Sequence, residues 1–216
     1  MASPCVQPCV PNGLELLLDY VTPDEEAALL GAVDGCTWTP LRKRRVQHHG
    51  HRFVYGANVA DPAALDTPMP PFVQALAARF CAEGITSGWV ADQCTVNDYE
   101  PGDGIPPHVD THSVFEETLL SLSLGSAVTM DFRTAARTAT ASVVLPPRSL
   151  LVLNGDARYG WQHSIAERKS DERDKDVFVQ RERRVSLTFR KLREVPYCDC
   201  EHIELCDLRA QRRSDT

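Results

Sequence analysis

His108, Asp110 and His163 are side chains of the types that hold a transition metal. The first two stand two residues apart in His108-Val109-Asp110. On extended backbone that spacing sends both to one face. His163 follows in Trp161-Gln162-His163, after a strand and a turn. Two imidazoles and one carboxylate on one side of a metal make the facial triad of non-haem Fe(II) oxygenases, which leaves positions open for reactants. Zinc hydrolases use similar ligands but favour four-coordinate sites with one open position. A turn aspartate with two surface histidines is the plain alternative.

Arg184 and Arg190 bracket the run Arg-Val-Ser-Leu-Thr-Phe-Arg. On a strand they share a face with Ser186 and Thr188, and all four point into a barrel together. Two guanidinium groups inside a barrel need anions. A dicarboxylate suits them, because the Arg fork matches a carboxylate bidentately. Structural salt bridges would suit them too. 2-Oxoglutarate has two carboxylates and a keto oxygen, so it can chelate iron and leave a position for O₂. Asn97 and Tyr99, again two apart, offer an amide and a phenol as further donors.

Two further clusters carry chemistry. Cys198-x-Cys200-x₅-Cys206 supplies three thiolates, and structural zinc wants four S or N ligands. His202 or His112 would complete the set; His112 as an extra iron ligand, or a reduced cluster without metal, are the other readings. Arg42-Lys43-Arg44-Arg45 and Arg52 lie among His48, His49 and His51, followed by Phe53 and Tyr55. Such a stretch is either a solvated face or a site for phosphate contact and base stacking.

These groups need a scaffold. The chain has 216 residues and a mass of 24.0 kDa, with 43% hydrophobic and 25% charged residues. That is enough for one sizeable core and argues against wholesale disorder. A net charge of −7 excludes a wholly basic nucleic-acid binder but not a local basic patch. No apolar run approaches the roughly 20 residues of a membrane helix. The first basic residue is Arg42, so a secretory signal or transit peptide is not expected, and the cytoplasm or nucleus is. There the eight cysteines do not form a disulfide framework. Cys36, Cys81 and Cys94 read as buried thiols, and Cys5 and Cys9 as part of a frayed Pro-rich leader.

Residues 14–20 read as a short strand. Thr22 caps a helix that has Pro23 first and acids in its first turn, and Gly35 ends it. A second helix fits residues 70–83, with Phe72, Leu76 and Phe80 on one stripe and Gly84 as the stop. Strands are expected at 94–99, 118–124, 128–132, 142–145, 149–153 and 185–189. In the second of these, Leu120, Leu122 and Leu124 point one way and Ser121 and Ser123 the other. The charge-rich segment 166–182 reads as a mobile loop. Many short strands behind two helices predict a mainly β fold with flanking helices, a jelly roll.

The blocks N-D-Y-E-P-G-D-G-I-P-P-H-V-D-T-H-S-V-F, L-S-L-S-L-G-S-A-V-T-M-D-F-R, L-P-P-R-S-L-L-V-L-N-G-D-A-R-Y-G-W-Q-H-S-I and R-R-V-S-L-T-F-R, in that order, resemble the AlkB-like Fe(II)/2-oxoglutarate dioxygenases. The resemblance runs over residues 14–207. It implies a double-stranded β-helix, with iron on His108, Asp110 and His163. It implies 2-oxoglutarate on Asn97, Tyr99, Arg184 and Arg190, with Arg184 at the C5 carboxylate and Arg190 at the C1 end. The cofactors implied are Fe(II), 2-oxoglutarate with O₂ as co-substrate, and a structural Zn(II).

Within the family the chain is most similar to the branch acting on the tRNA wobble uridine. H-V-D-T-H-S-V-F-E-E, the R-R-V-x-H-x-G-x-x-F block at 44–53 and the C-x-C-x₅-C tail carry that likeness. Gln162 and Ser164 stand where the branch usually has Thr and Gly. The likeness favours His112 as the fourth zinc ligand beside Cys198, Cys200 and Cys206. It makes Arg44, Arg45, His48 and Arg52 nucleic-acid contacts in a lid. Asp131 and Arg133, polar groups following Met130 on a strand near the site, are candidate substrate contacts. The expected organisation is a leader (1–13), an oxygenase domain (14–193) and a zinc-binding tail (194–216). Animal members of the branch carry an RNA-recognition domain and a methyltransferase as well. Neither is in this sequence, so RNA affinity would come from this domain or from partners, a separate tRNA methyltransferase among them.

The expected activity is hydroxylation of a wobble-uridine side chain in RNA. The alternatives are oxidative demethylation of alkylated DNA or RNA, a non-catalytic zinc and RNA-binding module, and a zinc hydrolase. The chain is expected to act as a monomer without membrane contact.

Overall fold

Thr22 begins the first helix as expected. Its hydroxyl accepts the Glu25 N–H at 3.2 Å, and the Glu25 carboxylate accepts the Thr22 N–H at 2.7 Å, a reciprocal capping box. In this computed structural model, residues 10–54 and 59–208 are described, with backbone alone for 52–54 and 59–66. Cys5, Cys9 and Tyr55 lie outside the described residues.

In chain order the elements are β1 (Leu14–Leu17), α1 (Pro23–Asp34), β2 (Thr39–Leu41), β3 (Arg44–Val54), β4 (Val59–Thr67), α2 (Pro71–Ala82), β5 (Gln93–Tyr99), β6 (Ile105–His108), β7 (Leu119–Gly125), β8 (Val128–Thr134), β9 (Thr140–Leu145), β10 (Leu150–Leu153), α3 (Gly155–Tyr159), β11 (Trp161–Ile165), β12 (Ser170–Asp174), β13 (Val177–Gln180) and β14 (Arg184–Arg190). One antiparallel sheet runs β1-β10-β7-β14-β5-β3-β2, with β4 on β3; a four-stranded sheet runs β6-β11-β8-β9. This is the mainly β architecture that the strand pattern predicts.

Two apolar clusters follow from the period of two along the strands. On one side of the large sheet, Leu120, Leu122, Leu124, Val185, Leu187 and Phe189 pack against Val33 of α1 and Val73, Leu76 and Phe80 of α2. Phe80 and Phe189 meet edge-on with centroids 5.0 Å apart, which contributes about 0.5–1.5 kcal/mol beyond burial. The second cluster joins residues of both sheets, among them Tyr99, Leu119, Met130, Phe132, Leu151 and Trp161. On β14 the alternate residues Arg184, Ser186, Thr188 and Arg190 line the cavity between the sheets.

Three expectations change. Segment 166–182 is a β-hairpin of β12 and β13 rather than a loop. It is built on a buried charge: Asp171 is wholly buried and accepts from Arg181 Nε and Nη2 and from Arg168 Nε. Strand β3 was not evident from the sequence because it buries polar Gln47, His49 and His51 instead of an apolar stripe. Gln47 is satisfied by donating to the Val33 carbonyl. Finally, only Cys94 of the three expected core thiols is buried; Cys36 and Cys81 are half-buried, and the six described cysteines are free.

Asp171→Asn is expected to loosen the hairpin by roughly 3 kcal/mol, the cost of breaking a buried ion pair. Burial raises the Asp171 pKa, but Arg181 and Arg168 outweigh it and bring it down to about 2. A depressed folded value means that this contribution is present above pH 4 or so and fades as pH falls through about 2. Amide exchange across 170–180 checks both points.

Candidate active site

Strands β6 and β11 pair antiparallel with His108 directly opposite His163. The two rings therefore lie on one face, centroids 4.3 Å apart. Asp110, just past the end of β6, brings its carboxylate to 3.9 Å from His163 Nε2. One donor atom from each of the three residues lies within 4.8 Å of the others. His108 Nδ1 is 2.9 Å from the Pro106 carbonyl, which only accepts. That bond puts the proton on Nδ1 and leaves the Nε2 lone pair available to a metal.

The electrostatics suit a cation. Burial, then the neighbouring His108, pushes the His163 pKa down to about 3, so its imidazole is neutral near pH 7. Burial opposes ionisation of Asp110, yet Arg190, the two imidazoles and Arg158 hold it below the usual carboxylate range. Arg190 donates to Asp110 at 2.6 and 2.9 Å and to Gln93 at 3.0 Å. It is thus tied to the triad itself.

Arg184 is placed differently. It is 3% exposed, and its Nη2 donates to Ser123 Oγ at 2.9 Å. Its Nε and Nη1 are buried with no hydrogen-bond partner among the described residues. Burial lowers its pKa to about 10; Tyr99 opposes the shift and Arg181 adds to it. An orphaned guanidinium fork facing a cavity is a fit for an anion. That cavity, about 340 Å³, is lined by the triad, Asn97, Tyr99, Arg184 and Arg190, with Met130, Leu151 and Leu153 as apolar wall. All the residues expected to hold iron and 2-oxoglutarate therefore meet in one chamber.

The basic stretch divides. Arg44 lines the cavity and donates to Asn97 Oδ1 at 2.9 Å. His48 lies 3.3 Å from Thr95 Oγ1. Arg45 belongs to another network: it pairs with Asp98 at 2.6 Å and stacks over Trp38. Arg183 joins Asp98 to Asp34 in the same network. Arg52 is on β3, and its backbone alone is described. Asp131 and Arg133 do not line the cavity; they bond Ser142 and Gln162, and the alternation of β8 gives the inner face to Met130 and Phe132.

His112, Cys198, Cys200 and Cys206 bring one donor atom each within 4.8 Å of one another. His112 is fully buried, with Nδ1 3.3 Å from Cys200 Sγ. His202 is outside this group: it pairs with Asp156 at 3.1 Å, and its ring packs so close to Gly160 that a Cβ there would meet it at 2.5 Å. Two polar residues escaped the sequence reading. Arg158 donates to the carbonyls of Asp110 and Thr111, and Asp207 accepts the N–H groups of His112 and Ser113. Neither sits in a spacing pattern that marks a ligand.

Comparison with known proteins gives the family and the fold. A sequence model of the 2OG-Fe(II) oxygenase superfamily matches residues 31–190. The chain is 40% identical over 220 residues to "Alkylated DNA repair protein ALKBH8 homolog" of Arabidopsis thaliana, covering 92% of this chain and 63% of that one. It is 38% identical over 226 residues to "tRNA (carboxymethyluridine(34)-5-O)-methyltransferase ALKBH8" of Mus musculus, covering 92% and 33%. It thus spans under two thirds of the first relative and about a third of the second. Among solved structures, OsALKBH1 superposes with a TM-score of 0.61 at 16% identity, over 86% of this chain and 99% of that one. That likeness is one of fold, the jelly roll.

Proposed function

We propose, on the premise that the chain belongs to the 2OG-Fe(II) oxygenase superfamily, that it hydroxylates the side chain of a wobble uridine in tRNA. The observation that carries the reading is the triad facing the orphaned fork of Arg184 across one cavity. The choice of substrate rests on the tRNA in the mouse relative's name.

His108, Asp110 and His163 would hold Fe(II), and Arg184, Asn97 and Tyr99 would hold 2-oxoglutarate. Together with O₂, these supply oxidative C–H hydroxylation, with succinate and CO₂ as co-products. Arg184 neutralises the distal carboxylate. Arg190 balances the Asp110 charge and keeps that carboxylate turned toward the imidazoles. The Pro106 carbonyl fixes the His108 tautomer. Met130, Leu151 and Leu153 give the chamber an apolar wall, which limits water on that side of the reacting carbon. Arg44 and His48, on the cavity side of β3, are the groups best placed for an RNA strand. His112, Cys198, Cys200 and Cys206 would hold a structural Zn(II). The working compartment we assign is the cytoplasm or nucleus.

Removal of an N-methyl group from alkylated nucleic acid is the second reading, favoured by the name of the Arabidopsis relative, a DNA repair protein homologue. The test is mass spectrometry of tRNA nucleosides after incubation with protein, Fe(II) and 2-oxoglutarate in air. A gain of one oxygen on a wobble uridine supports hydroxylation. Loss of a methyl group with formaldehyde release supports the second reading. Unchanged nucleosides with no succinate formed would contradict both.

A further inference from the structure

The backbone that leaves the triad enters the thiolate cluster almost at once, since Thr111 alone separates Asp110 from His112. Arg158, on α3, grips that stretch. Its Nη1 donates to the Asp110 carbonyl at 2.7 Å and its Nη2 to the Thr111 carbonyl at 2.8 Å. The side chain is 2% exposed, has no ion pair among the described residues, and leaves Nε unpartnered. Burying a cation against two neutral carbonyls is costly. The return is order in the backbone that those carbonyls belong to.

The same short helix touches both clusters. Tyr159 packs edge-on against His112, centroids 5.0 Å apart, and β11 with His163 follows directly. From the other side, the Asp207 carboxylate accepts the His112 N–H at 2.9 Å, the Ser113 N–H at 3.2 Å and the Ser113 hydroxyl. Asp207 adjoins Cys206 in the tail. One buried guanidinium therefore stands between an iron-type triad and a zinc-type cluster, with the backbone linking them held at both ends.

We propose that Arg158 is a positioning residue that couples the two clusters, so that metal held by His112, Cys198, Cys200 and Cys206 tightens Fe(II) binding at His108, Asp110 and His163. This rests on the reading of both groups as metal sites. A filled cluster fixes His112; Arg158 carries that order to the Asp110 carbonyl and so to its carboxylate. Linkage makes the effect reciprocal: Fe(II) at the triad tightens zinc in the cluster.

The experiment is an anaerobic Fe(II) titration of the full chain with 2-oxoglutarate present, followed by the visible charge-transfer band, with zinc content measured in parallel. Cys200→Ser is expected to lose zinc and weaken Fe(II) about tenfold. Arg158→Met is expected to keep zinc and weaken Fe(II) by about 10–100-fold, the usual range for loss of a group behind a metal ligand. The double variant binds Fe(II) no more weakly than Arg158→Met alone, because the connection is already cut. Arg158→Lys, which retains a donor, recovers part of the loss. Should Arg158→Met fail to fold, Asp207→Asn carries the test, with zinc kept and Fe(II) weakened.

Fe(II) affinity that ignores the loss of zinc, or losses that multiply in the double variant, would overturn the coupling alone. A wild-type protein that holds zinc but shows no band would overturn the iron site and the coupling with it. Zinc retained in Cys200→Ser would remove the cluster from the account.

Discussion

Arg184→Ala is expected to lose most of its affinity for 2-oxoglutarate while still binding Fe(II). The guanidinium sits on the central strand of the large sheet, pinned by Ser123 through one nitrogen, and its other two nitrogens have no hydrogen-bond partner among the described residues. A carboxylate there would gain a bidentate, charge-assisted contact with a buried guanidinium. Removing one partner of such a buried pair costs about 2–5 kcal/mol, or roughly 30- to several-thousand-fold in affinity. The iron donors are on other strands and loops, so metal binding should survive. A companion result concerns the free protein. Arg184→Met removes an unpaired buried cation and should melt at a higher temperature than wild type without 2-oxoglutarate, and at a lower one relative to wild type once it is saturating. Titration calorimetry with Fe(II)-loaded protein measures the affinity; an unaltered value would mean that the dicarboxylate pocket is misassigned.

His163→Ala is the second large effect. The imidazole is half-buried and neutral near pH 7, so it offers a lone pair without first losing a proton. Its register partner His108 is oriented by the Pro106 carbonyl, and Asp110 by Arg190. Losing one of three donors leaves a site that a hard, hydrated divalent ion holds poorly. The loss of Fe(II) affinity should exceed the roughly 10–100-fold that follows removal of a supporting group. Equilibrium dialysis with metal analysis reads it. The fold should persist, since β11 remains paired with β6 and β8. Retention of stoichiometric Fe(II) would move the metal elsewhere.

Much of this was legible in the residues because period-two alternation is unambiguous when one face is leucine and the other serine or arginine. Strand β7 sorts Leu120, Leu122 and Leu124 from Ser121 and Ser123, and β14 sorts Val185, Leu187 and Phe189 from Arg184, Ser186, Thr188 and Arg190. Helix α1 announced itself through its capping box. The failures share a cause, which is polarity hidden by pairing. Strand β3 buries a glutamine and two histidines, and the β12–β13 hairpin is built around a buried aspartate with its arginines. Both read as solvent-facing when only residue types are considered. The positions of Arg45 and Arg158 were equally invisible. Arg158 stands alone in the sequence and Arg45 stands in a basic run whose members look alike, so only the folded chain shows that one clasps two carbonyls beneath the triad and the other answers Asp98 outside the cavity.

The proposed chemistry requires ferrous iron and 2-oxoglutarate to share the chamber between the two sheets. Fe(II) added without oxygen to wild-type protein and 2-oxoglutarate should raise a broad visible absorbance that saturates at one iron per chain, and His108→Ala should abolish it. A protein that stays colourless throughout that titration, or a His108→Ala variant with the same band, would contradict it.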